Sequence, residues 1–371
     1  MAGSPVDLRP IVARFEIPGE FVTALPYGSG HINDTYAVST VVAGSPRRYL
    51  AQRLNHHVFR KPHFVMENIV AVTNHLRGKA EERGEDPSRH VLGLIPTRDG
   101  RSSIEDTEGD TWRFYTFIED SQGFDVVSST DDAHQAARAF GRFQSDLADL
   151  PTRLHETIPD FHDTPKRVSR WQSVVEADPL GRAAAATDAI EFVQRHVGIA
   201  DRLLTLHRSG AMPERVTHND TKLNNVLIDN ETGQGICVID LDTVMPGLAL
   251  YDFGDLVRTS TCAAPEDETN LNRVVVALPY FEALVRGYLE CALGFLLPAE
   301  IENLAFAGQL MTFEVGVRFL TDHLEGDAYF RVHREGHNLD RARAQGYSIL
   351  VIFFSFCCSS YPARSCKDCN W

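Results

Sequence analysis

A polar stretch from His218 to Asp240 contains the side chains best suited to chemistry. Asp220 offers a carboxylate that can accept a proton, and Lys222 offers a cation two residues later. Asn225 and Asp240 offer a neutral and an anionic oxygen, which suit a hard cation such as Mg²⁺ that also binds phosphates. Together these side chains suit the transfer of a phosphoryl group to a hydroxyl.

Two short apolar runs around a turn would position these residues. Residues 226–228 and 236–239 are apolar, and the segment 230–235 contains an Asn and two Gly, which is typical of a turn. In an antiparallel hairpin the entry of the first strand lies beside the exit of the second. We therefore expect Asn225 and Asp240 side by side at the open end of a hairpin.

The spacing of three residues adds a second indication. His218, Asp220 and Asn225 fit H-x-D-x-x-x-x-N, the catalytic-loop pattern of kinase-like phosphotransferases, and Lys222 stands where protein kinases carry a Lys. In that pattern the Asp accepts the proton of the attacking hydroxyl. The alternative is a polar turn that contains these residues by chance. A chance match is much less frequent when an Asp also stands at the end of the returning strand.

A glycine pair lies upstream in the sequence YGSGH, residues 27–31, between two apolar segments that read as strands. A dinucleotide fingerprint would open a helix instead and would continue to a third Gly. A Gly-rich hairpin lets backbone amides approach phosphates, so Gly28 and Gly30 are candidate nucleotide-binding residues. An ordinary Gly-containing β-turn is the alternative.

The next predicted strand, residues 48–54, is where a kinase would carry its nucleotide-binding Lys. This chain has Gln52 and Arg53 there, and both are candidates for nucleotide contact, with a solvated Arg as the alternative. A polar, Gly-ended stretch that begins at Glu119 then predicts a hinge at residues 119–125. We count Glu119 among the nucleotide-binding candidates.

Helical periodicity dominates the chain beyond this hinge. Asp131 or Asp132 can cap a helix, and the apolar positions after them follow helical spacing. Further on, a helix carries an apolar stripe, which comprises Leu310, Phe313, Val317, Leu320 and Leu324. The same helix carries a charged stripe that reads as a solvated ion-pair face, which comprises Glu314, Arg318 and Asp322.

Composition excludes several classes of partner. The net charge of −15, from 36 basic and 51 acidic residues, argues against nucleic acid or an anionic membrane as the main partner. We see no signal-peptide pattern and no run of about 20 apolar residues that could span a membrane. Scattered cysteines before residue 350 are typical of a reduced, cytoplasmic protein.

Over residues 27–345 the chain resembles the aminoglycoside phosphotransferase-like kinases, and within them the N-acetylhexosamine 1-kinases. The resemblance rests on motifs in order along the chain: YGSGHIN, WRFYTFIE, FHDTP, LGRAAA, RVTHNDTKLNNVL, VIDLDTVMPG, FEVGVRFLTDHLEGDAYF and GHNLDRARAQ. It implies an α+β, two-lobed protein-kinase-like fold. Residues 1–118 would form a small antiparallel N-lobe that binds nucleotide, and residues 126–345 a larger, mainly helical C-lobe.

The resemblance also implies a reaction. ATP would donate its γ-phosphoryl group, with Mg²⁺, to the anomeric hydroxyl of GlcNAc or GalNAc, and the preference between these sugars stays open. Asp220 would be the base, and Asn225 and Asp240 the Mg²⁺ ligands. Sugar or phosphate contacts would come from His31, Arg318 and Tyr329. The alternatives are another small acceptor (choline, homoserine or an aminoglycoside) or an inactive ligand-binding pseudokinase.

Two further segments carry alternatives. His162, in the FHDTP motif, is either a substrate ligand or a loop histidine with its hydrogen bonds satisfied. Residues 346–371 replace the charged, amphipathic terminal helix of the family, because the apolar run 349–354 shows no helical period. We interpret this tail as a gene-model artefact, with a zinc site that includes Cys366 and Cys369 as the alternative.

Overall fold

The chain divides into two compact units in the computed structural model, which describes residues 7–28 and 32–360. The first unit comprises the chain up to Gly123, Asp146–Pro159 and Asn225–Pro246. The second comprises Phe124–Ser145, Asp160–Asn224 and the chain from Gly247 onward. The chain thus first leaves the first unit inside the predicted hinge, 119–125. The predicted C-lobe is not one continuous stretch, however, since two later segments return to the first unit.

The strands are β1 (Glu20–Pro26), β2 (Asp34–Val42), β3 (Ser45–Arg53), β4 (Ile104–Glu105), β5 (Thr111–Thr116), β6 (Ser121–Gln122), β7 (Arg215–Thr217), β8 (Val226–Asp229), β9 (Gly235–Val238) and β10 (Met245–Gly247). The α-helices are α1 (Arg9–Val12), α2 (Pro62–Glu82), α3 (Pro87–His90), α4 (Thr130–Asp146), α5 (Thr164–Ala177), α6 (Thr187–His196), α7 (Arg202–Arg208), α8 (Ala249–Ser260), α9 (Leu278–Ala292), α10 (Pro298–Glu302), α11 (Leu304–Glu325) and α12 (His337–Ser360).

An antiparallel sheet in the order β1-β2-β3-β5-β4 forms the main layer of the first unit. Alternate side chains of β1, β2 and β3 point into its core, which includes Ala24, Val38 and Ala51 at 0% exposure. β3 pairs with β2 on one side and with β5 on the other, so Gln52 lies opposite Thr35 and opposite Arg113. This register brings polar side chains together in the middle of the sheet.

A smaller sheet of the first unit, β6-β8-β9, contains the predicted hairpin. β8 and β9 pair antiparallel, with Val226 opposite Val238, and a turn with Gly233 at φ 69° joins them. Gly tolerates that left-handed conformation without a Cβ clash. The predicted hairpin is therefore confirmed.

The second unit is built around α11, which packs against α5, α8 and α12. The five positions of its predicted apolar stripe are all buried, and Phe313, Val317 and Leu320 join Trp171 of α5 in one core cluster. Helix α4 starts one residue before Asp131, and Asp132 accepts hydrogen bonds from the backbone amides of the two residues that precede the helix. None of the described helices has the length and apolar character needed to cross a membrane.

The described part of the tail, residues 346–360, is helical, and the interpretation of residues 346–371 as a gene-model artefact stays a prediction. Helix α12 continues without a break to Ser360, and Ile349 is buried at 1% exposure in the core cluster of α11. An aliphatic side chain at that position meets an apolar surface, which stabilises the helix without a periodic pattern. A cavity of about 170 Å³ lies beside it, lined by Phe192, Phe313 and Ile349 among others. Cys366 and Cys369 lie outside the described residues.

Candidate active site

The open end of the hairpin in the first unit carries the predicted metal ligands. The carbonyl oxygen of Asn225 accepts a hydrogen bond from the amide of Ile239 at 2.9 Å, so Asn225 lies opposite the residue before Asp240. Asp240 itself is exposed and has a left-handed backbone, φ 61° and ψ 56°. A non-Gly residue in that region costs free energy and is found at functional sites and turns.

The donor set at this end fits a hard cation. An amide oxygen and an exposed carboxylate would leave part of the coordination shell to water and phosphate oxygens. Asp242, two residues beyond Asp240, is buried, and its Oδ1 has no hydrogen-bond partner in the described part of the chain. No group of three or more His, Cys, Asp or Glu side chains that could hold a metal ion occurs in that part of the chain.

A buried arginine of β5 forms an ion pair with Asp242. Arg113 is 1% exposed, and its Nη1 lies 2.5 Å from Asp242 Oδ1, although the two are not aligned as a hydrogen bond. Asn33 donates to the other carboxylate oxygen, Oδ2. Burial disfavours the charge of Arg113, but Asp242 outweighs this effect, so the pKa of Arg113 lies above its ordinary value. Arg113 therefore acts as a fixed counter-ion in the segment that follows Asp240.

Gln52 and Arg53, the candidates on β3, both form hydrogen bonds or ion pairs with other side chains of the first unit. Gln52 Oε1 accepts from Arg113 Nε at 3.0 Å and from Nη2 at 2.7 Å, and its amide nitrogen donates to Thr35. Arg53 forms ion pairs with Asp34 at 2.5 Å and Asp110 at 2.9 Å. The structure thus uses both side chains to hold the sheet together, and their nucleotide-binding role stays a prediction.

The remaining nucleotide-site candidates divide between described and undescribed residues. Glu119 accepts from Arg48 Nε at 3.0 Å, and the Arg48 guanidinium lies 3.9 Å from the centre of the Phe117 ring. Gly28 has φ 81°, just after β1, in the connection between two paired strands. Gly30 and His31 lie outside the described residues.

A buried aspartate of α8 fixes the predicted catalytic loop in the second unit. Asp252 accepts from the backbone amides of His218 at 2.8 Å and Asn219 at 2.7 Å, and its own carbonyl accepts from Thr221 Oγ1. Burial raises the pKa of Asp252, and the hydrogen bonds only partly offset this. Asp252 lies within α8 and orders the loop that precedes Asp220.

Asp220 and Lys222 lie together in that loop. The Asp220 carboxylate is partly exposed, and its Oδ2 is 2.9 Å from Lys222 Nζ. Asn219, directly before Asp220, has φ 66°, so the loop turns through a left-handed residue at this point. The spacing of these side chains supports a proton acceptor with a nearby cation, and their catalytic roles stay a prediction.

His162 and Glu314 form a buried pair beside the same loop. His162 Nδ1 lies 2.7 Å from Glu314 Oε1, and Nε2 lies 3.2 Å from the carbonyl oxygen of Asn219. Thr164 donates to Glu314 Oε2 at 2.6 Å. Burial is the largest effect and disfavours the Glu314 carboxylate, but His162, Arg318 and Thr164 together outweigh it, so the pKa of Glu314 lies below its ordinary value. His162 has both ring nitrogens occupied, as the alternative reading of a satisfied histidine requires.

The charged stripe on α11 is not a solvated face. Glu314 is 0% exposed and Asp322 is 4% exposed, and neither forms an ion pair with Arg318 among the described residues. Asp322 instead accepts from the backbone amides of Ala328, Tyr329 and Phe330, at 2.8–3.0 Å. Packing of α11 against its neighbours buries this face, which helical spacing alone does not reveal.

Arg318 and Tyr329, the predicted sugar-site residues, do lie together in the second unit. Arg318 Nη2 is 3.5 Å from the Tyr329 hydroxyl, and its guanidinium lies 5.4–5.7 Å from the ring centres of Phe161, Tyr329 and Phe330. Tyr329 is 63% exposed. This aromatic surface around a cation suits the face and hydroxyl groups of a sugar, a role that stays a prediction.

Sequence reasoning missed several residues that organise these regions. Arg113, Asp242 and Asp252 hold the loops that carry the candidate ligands and base. One signal was visible for Arg113, since it is a lone cation within the aromatic strand sequence TWRFYTF.

Comparison with known proteins gives a consistent result. The family described as APH, phosphotransferase enzyme family, matches residues 23–288. Among solved structures, a microcompartment-associated aminopropanol kinase is 19% identical, with 96% of this chain and 98% of that chain covered and a TM-score of 0.57. An aminoglycoside phosphotransferase from Alicyclobacillus acidocaldarius is 13% identical, with 96% and 97% covered and a TM-score of 0.62. A spectinomycin phosphotransferase, in complex with ADP and spectinomycin, is 13% identical, with 95% and 98% covered and a TM-score of 0.53. At these identities, the structural likeness establishes the kinase-like α+β fold and not the acceptor.

Proposed function

Because the chain belongs to the APH phosphotransferase enzyme family, we propose that it transfers the γ-phosphoryl group of ATP to the anomeric hydroxyl of an N-acetylhexosamine, GlcNAc or GalNAc. The family match supports phosphoryl transfer, and the ADP in the spectinomycin phosphotransferase supports an adenine nucleotide as donor. The sugar rests on the ordered motifs of this chain, which include YGSGHIN and FEVGVRFLTDHLEGDAYF.

The observation that carries the proposal is the loop that precedes Asp220, which Asp252 holds through two backbone amides. In the proposed reaction Asp220 orients the acceptor hydroxyl and accepts its proton, and Lys222 stabilises the carboxylate as an anion. A loose phosphoryl transition state requires mainly positioning and charge neutralisation. Asn225 and Asp240 would hold Mg²⁺, which supplies neutralisation of phosphate charge when bound.

The electrostatics of the acceptor region favour a neutral acceptor over a cationic one. Arg318 presents a guanidinium between aromatic rings, and the buried Glu314 carboxylate is already bound to His162 and Thr164. Choline or an aminoglycoside would bring a positive charge toward Arg318, with which no described carboxylate forms an ion pair. A neutral N-acetylhexosamine avoids this repulsion.

An acceptor panel tests the proposal. ADP release would be followed with GlcNAc, GalNAc, glucosamine, choline and 3-amino-1-propanol, and ³¹P NMR would identify the phosphorylated position. GlcNAc and glucosamine form a matched pair, since they differ in the acetyl group and therefore in charge. We expect turnover with the acetylated sugars and a 1-phosphate product. Turnover only with the amines would support an amino-alcohol kinase. If none of the acceptors in the panel stimulates ADP release, the sugar assignment is wrong.

Asp220→Asn tests the assignment of the base. We expect turnover to fall by about 10²- to 10⁴-fold, the usual effect of removing a general base, with nucleotide binding retained. Asp201→Asn is the matched control, because Asp201 lies at the exposed start of α7 and pairs with Arg208. A folded Asp220→Asn protein with the wild-type kcat would refute the role of Asp220.

A further inference from the structure

Two arginines from different helices of the second unit meet at Phe161. The Arg318 guanidinium, on α11, lies 5.5 Å from the centre of the Phe161 ring. Arg167, on α5, donates from Nη2 to the Phe161 carbonyl oxygen at 3.0 Å. The two side chains are close enough that Arg318 disfavours the positive charge of Arg167. We call Arg167 and Arg318 the arginine pair.

The described acidic groups around the arginine pair form their hydrogen bonds and ion pairs with other residues. Glu314 binds His162 and Thr164 with its two carboxylate oxygens. Asp160 pairs with Lys166 at 2.5 Å, and Glu325 pairs with Arg170 at 2.8 Å. Glu314 acts on the arginine pair through electrostatic attraction, which favours the charge of Arg167 but does not outweigh burial and the repulsion by Arg318, so the pKa of Arg167 stays below its ordinary value. The two positive charges of the arginine pair therefore have no ion-pair partner among the described residues.

Arg167 is also incompletely satisfied. Its Nε is buried and has no hydrogen-bond partner among the described residues, and burial together with Arg318 lowers its pKa. A partly buried charge without a counter-ion is unfavourable, and a second cation beside it adds repulsion. Cation–π contacts with aromatic rings explain how Arg318 is held, but they leave the Nε of Arg167 without an acceptor.

We propose that Arg167 and Arg318 form an acceptor-side subsite for a phosphate monoester. A guanidinium carries N–H donors in a planar fork that matches phosphate oxygens, and the dianion would compensate both positive charges. The inference rests on the proposed function for the identity of the sugar. The phosphate monoester has two sources: the 1-phosphate that the reaction produces, or an acceptor that already carries a phosphate, such as a hexosamine 6-phosphate.

Binding measurements on the full chain separate these sources. Isothermal titration in the presence of saturating ADP, which occupies the nucleotide site, would use four probes: GlcNAc, GlcNAc 1-phosphate, GlcNAc 6-phosphate and inorganic phosphate. The variants would be Arg167→Met, Arg167→Lys and Arg318→Met. Arg170→Met is the matched control, because Arg170 lies on the same helix but is paired with Glu325.

We expect the wild-type protein to bind one of the phosphorylated sugars more tightly than GlcNAc. Arg167→Met should weaken that binding by about 10- to 100-fold, the effect of losing a hydrogen bond between charged groups. The affinity of Arg167→Met for GlcNAc should stay within about twofold of the wild type. All four affinities of Arg170→Met should also stay within about twofold. The affinity of Arg167→Lys for the phosphorylated sugar should lie between those of the wild type and Arg167→Met. Tighter binding of the 1-phosphate assigns the subsite to the product, and tighter binding of the 6-phosphate assigns it to a phosphorylated acceptor.

Equal binding of GlcNAc and both phosphorylated sugars would overturn the inference. So would equal affinities in Arg167→Met and Arg170→Met. If Arg167→Met fails to fold by circular dichroism, Arg167→Lys decides by the same criterion. Arg318→Met also removes a predicted sugar contact, so it is judged only by its affinity for inorganic phosphate. Inorganic phosphate separates this inference from the proposed function: if no sugar is phosphorylated but phosphate binding still requires Arg167, the subsite stands and only the sugar assignment falls.

Discussion

Two sets of arginines, one in each unit, are used in opposite ways. In the sheet of the first unit, Arg48, Arg53 and Arg113 each contact a carboxylate: Glu119, Asp34 with Asp110, and Asp242. In the second unit Arg167 and Arg318 share Phe161, and no described carboxylate forms an ion pair with either of them.

This difference distinguishes arginines that stabilise the fold through an ion pair from arginines that we propose bind a ligand. In a buried ion pair the two charges compensate each other within the protein. The folded state is destabilised when one of the two partners is removed. A cation without a partner raises the free energy of the folded state until something external compensates it. Removing Arg113 should therefore destabilise the first unit, whereas removing Arg167 should leave the stability of the second unit nearly unchanged.

The largest effect is expected at Arg113. Arg113→Met leaves Asp242 as a buried carboxylate without its counter-ion, and Gln52 loses two of its hydrogen bonds. Breaking a buried pair in this way costs about 3–5 kcal/mol in the free energy of unfolding. Urea denaturation of the variant and the wild type measures this difference.

The double variant Arg113→Met/Asp242→Asn controls for packing. It removes both charges, so most of the lost free energy of unfolding should return. A loss caused by poorer packing of the Met side chain would persist in the double variant. A single Arg113→Met variant as stable as the wild type would show that Arg113 is not the counter-ion of Asp242.

A second buried pair, His162 with Glu314, should respond to pH. Glu314→Gln is expected to cost about 3 kcal/mol at neutral pH, because it leaves His162 buried without its anionic partner. The pKa of Glu314 is lowered in the folded protein, so its contribution is complete above the ordinary Glu value of about 4.3 and is lost as the pH falls through the lower folded value.

Urea denaturation of Glu314→Gln and the wild type between pH 7 and pH 3 checks this sign. The stability difference should narrow at the acidic end of the range. A difference that widens toward pH 3 would mean that Glu314 is protonated in the folded protein.

Local patterns were sufficient for part of this architecture. The runs at 226–228 and 236–239, with a Gly-containing turn between them, predicted the hairpin and placed Asn225 and Asp240 at one end. The turn and both strands lie within about twenty residues, so pairing between them is specified by adjacent sequence.

Contacts between distant residues were not predictable in the same way. Arg113 meets Gln52 because β3 and β5 pair in one particular register across an intervening 60 residues. Asp252 reaches His218 across 34 residues, from a helix whose position depends on the packing of α11. The charged stripe on α11 and the apolar run at Ile349 were misread for one shared reason, since burial depends on which helices pack there.

A smaller effect is expected at Arg53, whose side chain is 38% exposed. Arg53→Met removes ion pairs to Asp34 and Asp110, but water screens partly exposed charges, so the loss should be about 0.2–1 kcal/mol. Denaturation at low and high salt measures it. The difference between variant and wild type should shrink as salt rises, and a loss as large as that of Arg113→Met would show that exposure does not set the strength of these pairs.

The smallest effect, and the one most specific to the comparison, is expected at Arg167. Arg167→Met removes a partly buried cation that has no counter-ion and that Arg318 repels. The variant loses a hydrogen bond to Phe161, worth about 1 kcal/mol, and gains relief from the buried charge. These terms oppose each other, so the free energy of unfolding should stay within about 1 kcal/mol of the wild type.

High phosphate concentration sharpens this test. Phosphate should stabilise the wild type, because a ligand that binds only the folded state raises its stability, and it should stabilise Arg167→Met less. Potassium chloride at the same ionic strength is the control for general screening. A loss of about 3 kcal/mol or more without phosphate would place Arg167 with Arg113 as a structural cation, and the contrast between the two units would then disappear.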